Sequence, residues 1–349
     1  MRAITVSPGV AHSARLDDVP DPPLSDGAVL VRTVALGVCG TDREILSGAY
    51  GTAPPGEPRL VLGHESLGEV ESAPEGCGLA RGDLVVGIVR RPDPVPCMAC
   101  AAGEWDMCRN GLYTERGIKE ANGFAAERFR TPPALAVRVD PGLESCGVLL
   151  EPASIAAKAW EHIERIGARA LWQPRRLLVT GAGPIGLMAA MMGVQRRLEV
   201  HVLDRVTEGA KPAAVRSLGA VYHTSAPETL GFAPDVVIEC TGAAPVVMAA
   251  IGCVARAGIV CLTGLAGGER RLPVDVNALD RLLVLENAVV FGSVNANRRH
   301  YEQAAAALAR AERAWLEGVI TRRVPLERWH EAYDRAPGQI KTVLEFGAA

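Results

Sequence analysis

Nowhere in this 349-residue chain do more than two lysines or arginines stand together, and the formal net charge is only −3. That excludes the basic stripe by which proteins hold nucleic acid. No apolar run reaches the ~20 residues that a membrane-spanning helix needs. The opening stretch, MRAITVSPGVAH, lacks the charged-then-apolar pattern of a secretory signal. Internal repeats and low-complexity segments are missing as well. These absences point to a cytoplasmic protein with neither a nucleic-acid nor a membrane partner.

What is present is ordinary globular material: 48% hydrophobic and 22% charged residues, in a chain long enough for two domains. Nine cysteines are an odd number, and three of them crowd into residues 97–108. In a reducing compartment such clustering favours metal ligation over a disulfide framework.

Up to about residue 150 the chain is rich in Gly, Pro and β-branched residues. Runs such as AVLVRTVALGV and GDLVVGIV read as strands between turn clusters, and helical pattern is scarce. After Glu151 the pattern changes. SIAAKAWEHIERIGA has helical periodicity, and apolar strands then alternate with helices as far as VVFGSVN. That alternation predicts a parallel sheet covered on both faces. RHYEQAAAALARAERAWLEG reads as one long amphipathic helix, and KTVLEF as a strand returning to the first domain.

LLVTGAGPIGLMAA places Gly181, Gly183 and Gly186 in a G-x-G-x-x-G pattern, with Pro184 and Ile185 between the last two. The pattern follows a strand and opens a helix, the setting of a dinucleotide site. There Gly181 allows the tight turn, Gly183 lets a pyrophosphate approach the helix N-terminus, and Gly186 allows close helix–strand packing. Asp204 ends the next strand, 18 residues beyond Gly186. An acid there accepts from the ribose hydroxyls and repels a 2′-phosphate, which favours NAD. Arg205 directly after it keeps NADP open.

In the β-rich region GVCGTD and GHES supply Cys39, His64 and Glu65, a thiolate, an imidazole and a carboxylate suited to zinc. Glu151, in LLEPAS, stands at the domain junction. Singly, each has an ordinary structural reading as a core thiol, a hydrogen-bonded histidine, a surface acid or a helix-start charge.

Together these pieces resemble the zinc-dependent medium-chain dehydrogenase/reductase superfamily. TERGI, LDR and GSVNANRRH draw the resemblance toward its glucose dehydrogenase branch. The resemblance implies an α/β protein. A GroES-like β-rich catalytic domain would span 1–152 and 293–349, and a Rossmann doubly wound parallel sheet 153–292. It also implies a catalytic Zn2+ on Cys39, His64 and Glu65 and/or Glu151, with Thr41 in the proton relay. Glu115 and Asn295 match positions that contact sugar hydroxyls, and Arg90 is a further candidate.

The reaction implied is oxidation of C1 of a cyclic aldose to a lactone with NAD or NADP. A polyol or aminocyclitol dehydrogenase is the alternative. The superfamily's habit implies a homo-dimer or homo-tetramer.

The family's lobe also carries a structural zinc on four cysteines. Cys97, Cys100 and Cys108 match three of them, and the arginine pair before Pro92 aligns Asp93 with the missing first ligand. A vestigial loop without metal is the other reading.

Overall fold

The computed structural model describes residues 1–265 and 272–347. It divides into two compact units. One comprises Met1–Glu151, Asn295–Ala309 and Ile320–Ala349, the other Pro152–Val294 and Arg310–Val319.

The backbone of the first unit is a long, mostly antiparallel sheet. Its central strand Val29–Val38 pairs with Glu65–Ser72 on one side and with Lys341–Glu345 on the other. KTVLEF thus returns to this unit as expected, and its own neighbour is Ile320–Pro325. The burial of Val29–Val38 explains why it is read so easily from sequence: it is β-branched, apolar and covered along most of its length. Ile4, Leu36, Leu60, Val85, Phe124 and Phe129 are among the residues that close the core around it. A separate three-stranded sheet is built from Arg90–Arg91, Thr114–Arg116 and Glu120–Ala121.

The second unit is a six-stranded parallel sheet. In the unit's own chain order its strands lie 3-2-1-4-5-6: Val221–His223, Glu199–Leu203, Arg176–Thr180, Val236–Glu239, Ile259–Leu262 and Val289–Gly292. This is the doubly wound order, with its switch point beside the first strand. Leu178, Val237, Val260 and Leu203 pack there with Ala250 and Val254.

The single long helix expected near the C-terminus is instead two, Arg298–Ala309 and Arg313–Val319. The second groups with the parallel-sheet unit, where the Trp315 indole N–H donates to the carbonyl of Ala214 at 2.8 Å. Ala, Arg and Glu are all good helix formers, so propensity could not show the break. Among the described residues no helix is long and apolar enough to cross a membrane.

Candidate active site

The strand Val29–Val38 hands over at Cys39 to the helix Gly40–Leu46. Asp42 closes that helix start: its Oδ2 accepts from the backbone N–H of Cys39 at 2.8 Å. This is a capping box built on a cysteine. It leaves Asp42 Oδ1 3.3 Å from Nδ1 of His64. Burial works against the imidazolium, but the Asp42 carboxylate outweighs it and holds the His64 pKa well above its ordinary value.

Glu65 opens the neighbouring strand and pairs with Gly37 across the sheet. A side chain at Gly37 would collide with the Glu65 carboxylate and with Lys341, so only glycine leaves room for both. Lys341 is buried, ion-paired with Glu65, and donates to the carbonyl of Val38 at 3.1 Å.

Ligand atoms of Cys39, His64 and Glu65 all lie within 4.8 Å of one another. Thiol, imidazole and carboxylate converging in a buried place is a donor set that fits zinc. The Asp42–His64 contact is the carboxylate–histidine support that metal-ligating imidazoles use. Glu151 belongs to the same surroundings. Burial, and then the charge of Glu65, push its pKa up to about 7. Thr41 Oγ1 lies 3.9 Å from the Cys39 sulfur.

Glu115 and Asn295 are brought together. Asn295 Nδ2 donates to Glu115 Oε1 at 2.6 Å, and Arg90 donates to the same oxygen from Nε at 3.1 Å and Nη2 at 2.9 Å. Asn295 holds a left-handed φ of 61°, a conformation asparagine tolerates better than most residues. The Arg90 guanidinium lies 3.7 Å over the Tyr113 ring. A carboxylate, an amide and a guanidinium sharing one locus suit a polyhydroxylated ligand.

The cysteine lobe gathers Cys97, Cys100 and Cys108, their sulfurs within 4.8 Å of one another. Cys97 Sγ accepts from the N–H of Arg109, and this contact heads the causes that pull its pKa down to about 6. Asp93 lies outside that group of ligand atoms. Its carboxylate accepts from Val95 N and from Asn110 Nδ2, both at 2.8 Å, which ties the loop to itself.

In the parallel-sheet unit Gly181 has φ 98° and donates its N–H to Leu203 O at 2.7 Å. A Cβ at Gly186 would run into the carbonyl of Gly181, so the helix can approach the strand only with glycine there. Gly183 caps the helix Pro184–Gln195, with Ile185 in its first turn, and a Cβ at Gly183 would meet nothing within 4 Å. That open space before a helix N-terminus suits a pyrophosphate.

Asp204 is more occupied than its sequence position suggests. It accepts from Ala182 N at 2.8 Å, Val206 N at 3.1 Å and Lys211 Nζ at 2.8 Å. Arg205 beside it is exposed.

Sequence alone did not show Lys341 as a partner of Glu65 or Asp42 as a partner of His64. A lysine opening the buried strand Lys341–Glu345 was the available signal for the first.

Comparison with known proteins agrees with this geometry. Residues 25–141 match the alcohol dehydrogenase GroES-like domain, and residues 144–346 match the glucose dehydrogenase C-terminus. The glucose 1-dehydrogenase of Methanocella arvoryzae is 39% identical, with all of both chains covered. The chain belongs to the glucose dehydrogenase family. The glucose 1-dehydrogenase of Thermoproteus tenax is 40% identical over 99% of each chain. Haloferax mediterranei glucose dehydrogenase, solved with NADP, Zn and gluconolactone, superposes with a TM-score of 0.92 at 32% identity over 100% of both chains.

Proposed function

We propose that this chain oxidises C1 of a cyclic aldose, glucose first, to the lactone, using zinc and NAD or NADP. The convergence of Cys39, His64 and Glu65 within 4.8 Å carries the proposal. Bound zinc would polarise the C1 hydroxyl and lower its pKa, and bound nicotinamide would accept the hydride from C1. The stoichiometry closes: aldose and oxidised cofactor give lactone, reduced cofactor and one proton.

The chain's own residues have separable tasks. Cys39, His64 and Glu65 hold the metal, with Glu151 as a further carboxylate able to enter as ligands change. Asp42 orients His64, and Lys341 fixes Glu65. Thr41 takes the first proton from the sugar hydroxyl. Glu115, Asn295 and Arg90 bridge the other hydroxyls and set the ring's orientation. Asp204 meets the adenosine ribose, and NAD is preferred by a margin that Lys211, at 2.8 Å, reduces by offsetting its charge. Asp93 completes the ligand set of the cysteine lobe or, through Val95 and Asn110, holds the loop that presents it.

Two further readings go with this one. None of the nine cysteines is in a disulfide, which supports a reducing, cytoplasmic setting. Val276, Val284 and Leu285 are exposed apolar residues of one helical segment in the second unit, which supports a homo-oligomer.

A panel of aldoses, polyols and cyclitols with NAD and NADP, followed at the absorbance of the reduced cofactor, tests the proposal. Turnover of aldoses supports it, and turnover of polyols or cyclitols alone overturns it.

A further inference from the structure

GSVNANRRH carries two asparagines, and the proposed reaction uses only Asn295. Asn297 stands directly before the helix Arg298–Ala309, where an asparagine ordinarily caps through its side-chain oxygen. It does not cap here. Its Oδ1 is buried and accepts no hydrogen bond among the described residues, and its own backbone N–H donates to His300 Nδ1 at 3.2 Å. The side chain turns instead to Asp106, whose Oδ1 accepts from Asn297 Nδ2 at 2.7 Å. Both residues are buried, and an ionised carboxylate only accepts, so the amide nitrogen must face it.

Asp106 belongs to the short turn Trp105–Met107 of the cysteine lobe, just before Cys108. Through its backbone the same residue reaches the sugar-directed cluster: its carbonyl accepts from Arg90 Nη1 at 3.0 Å. The other edge of that guanidinium, Nε and Nη2, goes to Glu115 Oε1, where Asn295 Nδ2 also arrives. All three donors fall on one oxygen, and no donor among the described residues reaches Oε2. The contacts close a ring. Asn295 grips Glu115, Asn297 grips Asp106, and Arg90 ties those two acids together. Every member lies in the first unit.

We propose, on the reading that Glu115, Asn295 and Arg90 face the sugar, that Asp106 and Asn297 are positioning residues for that site. Asn297 pins the turn by the Asp106 carboxylate. The pinned turn sets where its carbonyl holds Arg90. Arg90 and Asn295 then lock Oε1 of Glu115, so that Oε2 is presented to a ligand hydroxyl in one direction. Neither Asp106 nor Asn297 touches the ligand. A buried acceptor that loses its donor is costly to leave unpaired, so without Asn297 the turn shifts toward other donors and takes the Arg90 anchor with it. Small displacements of a binding group are enough to weaken a ligand's hold.

Steady-state kinetics of the zinc-loaded enzyme test this, with the substrate it uses best from the panel of aldoses, polyols and cyclitols. Asn297→Ala should raise KM for that substrate about tenfold, while kcat and KM for the cofactor stay within about twofold. Asp106→Asn keeps an acceptor for Asn297 Nδ2 and should hold KM within about twofold of the wild type. The exchange Asp106→Asn with Asn297→Asp reverses donor and acceptor and should recover most of what Asn297→Ala loses. Asn297→Ser, too short to reach Asp106, takes the place of Asn297→Ala if that variant does not fold. A folded variant with KM unmoved overturns the positioning role. So does a fall in kcat with KM unchanged, or an exchanged pair as poor as Asn297→Ala. A wild type that turns over polyols or cyclitols and no aldose overturns the sugar reading alone, and the same comparison of KM values still decides the positioning role.

Discussion

Lys341 and Glu65 form an ion pair in which neither side chain is more than 3% exposed. The lysine comes from the last strand and the acid from a strand that starts at residue 65, and both meet the same central strand. Breaking a buried pair by removing one partner costs about 3–5 kcal/mol, because the other charge stays buried and alone. Lys341→Met should therefore destabilise the zinc-free protein by about that much in denaturant titration. Lys341→Met with Glu65→Gln should recover a substantial part. A double variant as unstable as the sum of the singles would show that the two residues act independently.

The cysteine lobe should hold one zinc per chain in addition to the catalytic one. Cys100→Ser should remove that ion and lower Tm while sugar oxidation persists. Asp93→Ala removes the acceptor of Val95 N and one of the two acceptors of Asn110 Nδ2, and should speed zinc release to a chelator several-fold. Metal analysis with a colorimetric chelator checks both. A wild type with one zinc, unchanged in Cys100→Ser, would mean that the three thiols hold no metal.

Cofactor choice should respond to Lys211. Its ammonium, 2.8 Å from Asp204, offsets the charge that would repel a 2′-phosphate. Lys211→Ala should raise the ratio of NAD to NADP efficiency by about threefold to tenfold, the order expected for exposing one charge. Asp204→Ala should lower NAD affinity and relax the preference, since it removes the ribose acceptor together with the anchor of Ala182 N. The kcat/KM ratio for the two cofactors reads both effects, and opposite shifts would transfer the discrimination to Arg205.

Thr41→Val should slow turnover without loss of zinc. Its hydroxyl stands 3.9 Å from the Cys39 sulfur, a place for a proton acceptor and too far to be a main structural tie. General acid–base groups contribute about 10²–10⁴-fold, so a fall in kcat of at least tenfold is expected with KM for the cofactor unchanged. An unchanged kcat would remove Thr41 from the proton path.

How much of this was readable beforehand follows from sequence distance. The glycine turn and Asp204 depend on spacings within one strand–turn–helix–strand stretch, and the parallel sheet on the strand–helix alternation that continues from it, and the sequence displayed them. The three thiols of the lobe were likewise local. The cluster of Cys39, His64 and Glu65 was not: Cys39 meets Glu65 because Gly37 pairs with Glu65 across two strands, a register that no local pattern encodes. The pairing of Lys341 with Glu65 depends on a strand near the end of the chain. Lys211, seven residues after Asp204, lay within reach of a local reading, but nothing in the spacing showed that the two side chains would meet. The break between Arg298–Ala309 and Arg313–Val319 was invisible because helix formers run through it.

The most direct test is steady-state oxidation of glucose by the zinc-loaded wild type and by Glu115→Ala, with ethanol as the comparison substrate. Glu115 gathers Arg90 and Asn295 on one oxygen, and a charge-assisted hydrogen bond from a sugar hydroxyl to its carboxylate would add about 1.5–3 kcal/mol that ethanol does not gain. Glucose should therefore be oxidised far better than ethanol. Glu115→Ala should lower kcat/KM for glucose by at least tenfold while leaving cofactor binding intact. Efficient oxidation of short aliphatic alcohols, with no activity on any aldose, would contradict the sugar assignment.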